Sequence, residues 1–200
     1  SNTGSNNFIS GFGDADNAQA LSLAEGETKN LTINGINYTV KNISSNYSNA
    51  VLFSVNPVTG VVSFSGHNLT INGQSDVSHN VELYGLKFKF YGGEKDDIIT
   101  MYAVQSTIYG EGGNDKLLIN NVSTAYGGAG DDEIILNSVG TAYGDDGDDT
   151  ITINASTNSA INGGLGNDTY NINAKVTSLS DTGGDNIYNV NANDINISGG

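Results

Sequence analysis

The sequence predicts an all-β protein: a parallel β-roll, or β-solenoid, with one metal-loop edge, preceded by an N-terminal antiparallel capping region. Three observations predict it. A Gly/Asp-rich loop recurs five times between Gly92 and Asp168. Its final aspartates, Asp97, Asp115, Asp132, Asp149 and Asp168, lie 18, 17, 17 and 19 residues apart. Short apolar alternations stand at fixed offsets from each of them. Such a period marks units that cannot bury an apolar face alone and must stack on their neighbours.

The strands follow from the offsets. Two residues after the reference Asp stand Ile99, Leu117, Ile134, Ile151 and Tyr170, with Ile187 after a sixth, damaged copy ending at Asp185. Four residues after stand Met101, Ile119, Leu136, Ile153 and Ile172. Apolar residues one apart give a strand with one buried face. Seven residues before the Asp stand Phe90, Ile108, Ala125, Ala142 and Ile161, on a strand entering the loop. Each period is thus strand, loop, strand and plainer turn. Five residues after the Asp the turns carry Asn120, Asn137, Asn154 and Asn173, a spacing suited to an asparagine ladder.

Ahead of the repeats, residues 29–90 read as antiparallel strands. Leu31–Ile33 and Ile36–Val40 flank Asn34-Gly35, a pair that accepts the positive φ angles of a tight hairpin turn. Val51–Val55 and Val61–Ser65 flank a longer loop with Pro57. Val81–Tyr84 and Leu86–Phe90 read as two further strands of the same region. The string Asn30–Gly35 recurs at Asn68–Gly73 and suggests a duplicated unit. The expected division is residues 1–90 as the cap and 91–200 as the β-roll. Residues 11–17 read as a turn holding Asp14 and Asp16, with a lone calcium loop as the alternative.

Charge is unevenly placed. The net charge is −15, and residues 94–200 hold 16 of the 22 acids against three lysines. Arginine is absent, which argues against a nucleic-acid partner, since phosphate needs clustered cations. No segment reaches the ~20 apolar residues of a membrane span. The absence of cysteine excludes disulfides and a Cys-ligated zinc. Acids recurring once per period in glycine loops point instead to a cation.

Calcium takes ~6–8 hard oxygens from carboxylates and backbone carbonyls. Glycines let a loop turn its carbonyls towards an ion, and coils ~4.8 Å apart let one ion touch two loops. The candidate ligands are Asp97; Gly110, Gly112, Asn114 and Asp115; Gly127, Ala129, Asp131 and Asp132; Gly144, Asp146, Asp148 and Asp149; Gly163, Leu165, Asn167 and Asp168; and Asp185. Bridging predicts about four to five Ca2+ ions in one column, and makes metal binding and folding one event.

Gly127-Gly128-Ala129-Gly130-Asp131-Asp132-Glu133-Ile134-Ile135 resembles the nonapeptide of RTX (repeats-in-toxin) proteins, and Gly163–Tyr170 matches nearly as well. The resemblance spans about residues 91–188. It implies a calcium-binding β-roll on a bacterial protein that is exported by type I secretion, folds outside the cell and belongs to something longer. Lys95, Glu111 and Asp145 stand where that pattern has glycine; the last two fit if the backbone angle there relaxes.

His67 and His79 lie in no catalytic motif and read as surface loop residues, so no enzyme is expected. Tyr91, Tyr109, Tyr126 and Tyr143 share one register and should form an exposed row, with Thr107, Thr124 and Thr141 beside it. The expected function is a calcium-dependent folding and assembly module of a secreted, bacterial cell-surface protein of surface-layer or adhesin type. The alternative is a carbohydrate-binding module, or the C-terminal calcium module of a secreted enzyme or toxin. Candidate partners besides calcium are a second copy of the chain and a cell-surface glycan.

Overall fold

The computed structural model describes residues 18–199 except Asn158 and Asp194, so Asp14 and Asp16 lie outside the described residues. The protein is all-β: a parallel β-solenoid of about eight coils behind an antiparallel strand region, with no helix among the described residues.

The antiparallel region holds β1 (Gln19–Leu23), β2 (Thr28–Ile33), β3 (Ile36–Asn42) and β4 (Asn49–Val55). β2 and β3 form the hairpin expected at Asn34-Gly35, where φ is +50° and +76°. β5 (Val62–Gly73) is the hinge of the architecture. It pairs antiparallel with β4 through its first half and with β3 through its second. Both sheets of the solenoid are therefore covered at this end by strands running the other way. The two Asn-Leu-Thr-Ile-Asn-Gly strings both flank β3, in different registers: Leu31 opposes Tyr38 whereas Ile71 opposes Val40.

Parallel stacking starts earlier than the sequence suggests. β5 and β6 (Asn80–Gly93) pair in parallel from Val62–Val81 to Asn72–Tyr91. Val81–Tyr84 and Leu86–Phe90 are thus not antiparallel strands but two stretches of one bent strand, already part of the solenoid. The expected boundary at 90/91 falls inside β6. The first coil, closed by residues 74–79 between β5 and β6, carries no Gly/Asp loop, and so left no trace in the repeat spacing.

From β6 the chain builds two parallel ladders. One runs through the start of β6 to β7 (Ile98–Met101), β9 (Lys116–Ile119), β11 (Glu133–Leu136), β13 (Thr150–Ile153), β15 (Thr169–Ile172) and β17 (Ile187–Val190). The other runs through the end of β6 to β8 (Thr107–Glu111), β10 (Thr124–Ala129), β12 (Thr141–Asp146), β14 (Ile161–Leu165), β16 (Leu179–Ser180) and β18 (Ile197–Ser198). Ile99, Leu117, Ile134 and Ile151 stack on one side, Phe90, Ile108, Ala125 and Ala142 on the other, all fully buried in one apolar cluster. Each large aliphatic side chain so buried contributes about 1.5–3 kcal/mol, and a one-residue slip would turn the whole face outward. At the capped end Tyr38, Phe64 and Phe90 close the core, with Tyr38 edge-on to Phe64 at 5.1 Å.

The turn asparagines form the expected ladder. Asn137, Asn154 and Asn173 each donate from Nδ2 to the Oδ1 of the asparagine one coil earlier at 2.9 Å, and Asn191 extends the series.

Candidate metal centre

The Gly/Asp loops line one edge of the solenoid, joining each strand of the second ladder to the next strand of the first. Their six residues have distinct duties. The final Asp turns inward and is buried: Asp97, Asp115, Asp132, Asp149 and Asp168 are at most 2% exposed. Each offers Oδ1 to the backbone N–H one coil earlier. The amide of Asp97 donates to Asp115 Oδ1 (2.8 Å), that of Asp115 to Asp132 (2.7 Å), that of Asp132 to Asp149 (2.8 Å) and that of Asp149 to Asp168 (2.8 Å).

The preceding residue forms a second, exposed ladder of opposite sense. The amides of Asn114, Asp131, Asp148, Asn167 and Asp185 each donate to the Oδ1 of the corresponding residue one coil earlier, at 2.7–2.8 Å. Two antiparallel stitches thus hold successive loops in register. They use backbone donors that the tight loop would otherwise leave unpaired.

The first glycine of each loop provides space. A methyl group on Gly127 would overlap Asp132 Oδ2 and stand 2.6 Å from the carbonyl oxygen of Gly144. Gly110 and Gly144 have the same surroundings, with Asp115 and the Gly127 carbonyl in one case and Asp149 and the Gly163 carbonyl in the other. In each coil a carboxylate oxygen and a carbonyl oxygen from the next coil converge on one spot. Of the third-position candidates Gly112, Ala129, Asp146 and Leu165, the carbonyls of Asp146 and Leu165 accept from the Gly130 and Gly147 amides at 3.0 Å.

The second position departs from expectation. Glu111 and Asp145 both keep φ at +75°, so the left-handed angle does not relax at these non-glycine residues. Such a conformation costs about 1–2 kcal/mol.

What sets this edge apart is its unpaired oxygens. Oδ2 of Asp115, Asp132, Asp149 and Asp168 is buried with no hydrogen-bond partner. Only Asp97 differs, its Oδ2 accepting from the Gly93 amide at 3.1 Å. Burial pushes the carboxyls of Asp115 and Asp149 up to about 8, that of Asp132 to about 7 and that of Asp168 to about 6, and it raises Asp97. Neighbouring acids add to the effect, and the backbone N–H donors to Oδ1 oppose it. A buried carboxylate without a partner is costly unless a proton or a cation satisfies it. Among the described residues no three acidic or histidine side chains converge on one point. An ion here would therefore draw most of its oxygens from backbone carbonyls, which suits one buried Asp per loop.

The ends of the inner ladder were not legible in the sequence. The final rung is Asn186: the amide of Asp168 donates to its Oδ1 at 2.8 Å. Asp185 stands one residue off, in the register of Asp131 and Asp148 on the exposed ladder rather than that of the inner aspartates. Ile187 accordingly pairs with Thr169 and is 57% exposed rather than buried. The opening member is His79, whose amide donates to Asp97 Oδ1 at 2.7 Å. It is not a surface residue: it is 2% exposed, donates from Nε2 to the Gln74 carbonyl (2.7 Å), and packs near Tyr38 and Phe90. His67 is exposed as expected. Eighteen residues separate His79 from Asp97 and Asp168 from Asn186, so the period itself held the signal.

On the outer face of the second ladder Tyr91, Tyr109, Tyr126 and Tyr143 stack at 4.4, 5.1 and 4.9 Å with planes within 12°. The rings are half-buried and spend their faces on one another. Thr107, Thr124 and Thr141 pair beside them.

No protein-family model, curated protein or solved structure matches the chain.

Proposed function

We propose that the loop edge is a column of calcium sites and that the protein is a non-catalytic, calcium-dependent folding and assembly module. One observation carries the reading: a buried, partnerless carboxylate oxygen repeats in coil after coil, and at Asp115, Asp132 and Asp149 it converges with a glycine carbonyl of the next coil. Oδ2 of Asp115, Asp132 and Asp149, with the carbonyls of Gly127, Gly144 and Gly163, would hold the ions. Asp97, whose Oδ2 already accepts a hydrogen bond, would hold the weakest. Calcium supplies positive charge that the buried carboxylates lack, and it accepts the irregular, oxygen-rich surroundings that magnesium does not.

The chain's own residues do the rest. The two aspartate/asparagine stitches fix the register, the glycines keep the space open, and the thin apolar core stacks the coils. A net charge of −15 opposes that stacking until cations are bound, which ties folding to the calcium concentration.

The cellular setting rests on the RTX resemblance: a bacterial protein secreted by a type I route, folding at the cell surface in a surface-layer or adhesin-type assembly. Calcium titration of the full chain after chelation, followed by far-ultraviolet circular dichroism, tests the reading. Millimolar calcium should convert a disordered spectrum to a β spectrum, and equal magnesium should not. A chelated chain that keeps its β spectrum, or that responds equally to magnesium, overturns it.

A further inference from the structure

The column does not end as it runs. In the coil after Asp168, two residues past the Ile161–Leu179 pair, Asp181 takes the register position that glycine holds in every earlier loop. Asp181 is 6% exposed. Tyr170, at a position aliphatic in the coils before it, is fully buried and sends its hydroxyl to this spot. That hydroxyl accepts from the Gly163 amide (2.5 Å) and donates to Asp181 Oδ2. Asp181 Oδ1 accepts from the Gly183 amide at 2.9 Å.

The proton count is then complete, and it falls short. Tyr170 has one hydroxyl proton and gives it to Asp181. Asp168 Oδ1 already accepts from Asp149, and its Oδ2 has no donor. A methyl on Gly163 would overlap Asp168 Oδ2 and stand 2.5 Å from the Tyr170 hydroxyl oxygen, so these groups converge. Asp181 acts on Asp168 both by its charge and at side-chain hydrogen-bonding range, and Asp148 adds its charge. Earlier coils oppose one carboxylate to a neutral carbonyl; here two carboxylates meet in the protein interior.

We propose that Asp168 and Asp181, presented from successive coils with Tyr170 fixing the second carboxylate, form a two-carboxylate site for one divalent cation of calcium type, chemically distinct from the one-carboxylate positions before it. The proposal rests on the calcium reading of the loop edge and deepens it. Charge count tunes calcium affinity, so this terminal site is the tightest of the series, by about tenfold. Tyr170 is a positioning residue and not a ligand.

Equilibrium dialysis of the full chain against calcium, with the bound metal counted, tests it. The wild type should show one ion bound about tenfold more tightly than the others. Asp181→Asn should lose that class and keep the rest, with the far-ultraviolet β spectrum at saturating calcium unchanged. Tyr170→Phe should keep the count and weaken that class alone, and it decides the matter if Asp181→Asn does not fold. Unchanged counts and affinities in the variants overturn the terminal site and leave the column standing. A wild type that binds calcium with a single affinity does the same, whereas one that binds none overturns both.

Discussion

The backbone N–H of Asp132 donates to Oδ1 of Asp149 at 2.8 Å, while Asp149 Oδ2 stays buried with no partner. One carboxylate thus does two jobs with its two oxygens: the first stitches coils and the second waits for a cation. The jobs are separable, because Asn186 already fills the same register with an amide and makes the same rung. Asp149→Asn should keep the rung and remove a buried charge, so it should reach the same β spectrum at saturating calcium. It should also lower calcium affinity. Asp149→Ala should lose on both counts, and a calcium affinity left intact in Asp149→Asn would refute the division of labour.

Position along the column should matter. Asp132 has a free Oδ2 and a loop on either side, whereas Asp97 Oδ2 is already engaged by the Gly93 amide. Asp132→Ala should therefore raise the calcium needed for folding more than Asp97→Ala, read as the midpoint of a dichroism titration. Equal shifts would contradict the weak first site.

The buried carboxyls set a pH dependence. In the metal-free fold Asp115 and Asp149 lie at about 8 and Asp132 at about 7, above the unfolded value of about 3.9. The folded state then binds protons more tightly than the unfolded one. Its stability is greatest in acid and falls as pH rises from about 4 to about 8. In chelator the β content read by circular dichroism should be higher at pH 5 than at pH 8, and saturating calcium should remove that difference because it takes the protons' place. A chelated chain that is more stable at pH 8 would contradict the burial of these groups.

Glycine tolerance should differ sharply by place. At Gly147 φ is +124° and an added methyl would overlap the Gly130 carbonyl, so Gly147→Ala must push two coils apart. At Gly35 φ is +76° but nothing stands within 4 Å. Gly147→Ala should cost more than about 3 kcal/mol in urea unfolding, against about 1 kcal/mol for Gly35→Ala.

The turn ladder gives a milder test. Asn137 donates to Asn120 and accepts from Asn154, both at 2.9 Å, on an exposed edge. Asn137→Ala should destabilise by about 1 kcal/mol without changing calcium affinity.

The repeat was legible where chemistry recurred. The Asp97-to-Asp168 spacing and the Ile99 and Met101 offsets located the strands from β7 to β15, because a coil of nearly fixed length must return its apolar residues to the core. Legibility failed where a coil kept the register but changed the residue. His79 opens the inner ladder and Asn186 closes it, yet neither is acidic; the adjacent Asp185 drew the alignment one residue aside. β5 and the start of β6 stack like later coils without a Gly/Asp loop, so periodicity could not reveal them. Glu111 and Asp145 broke the glycine pattern without breaking the backbone angle. The Tyr170–Asp181 contact joins residues 11 apart, one read as core and the other as the start of a damaged loop.

Anomalous diffraction from crystals grown in calcium tests the central claim most directly. We expect discrete calcium peaks beside Oδ2 of Asp115, Asp132 and Asp149, one per loop interval along the edge. An edge without such peaks, on a solenoid whose shape survives complete chelation, would contradict the account.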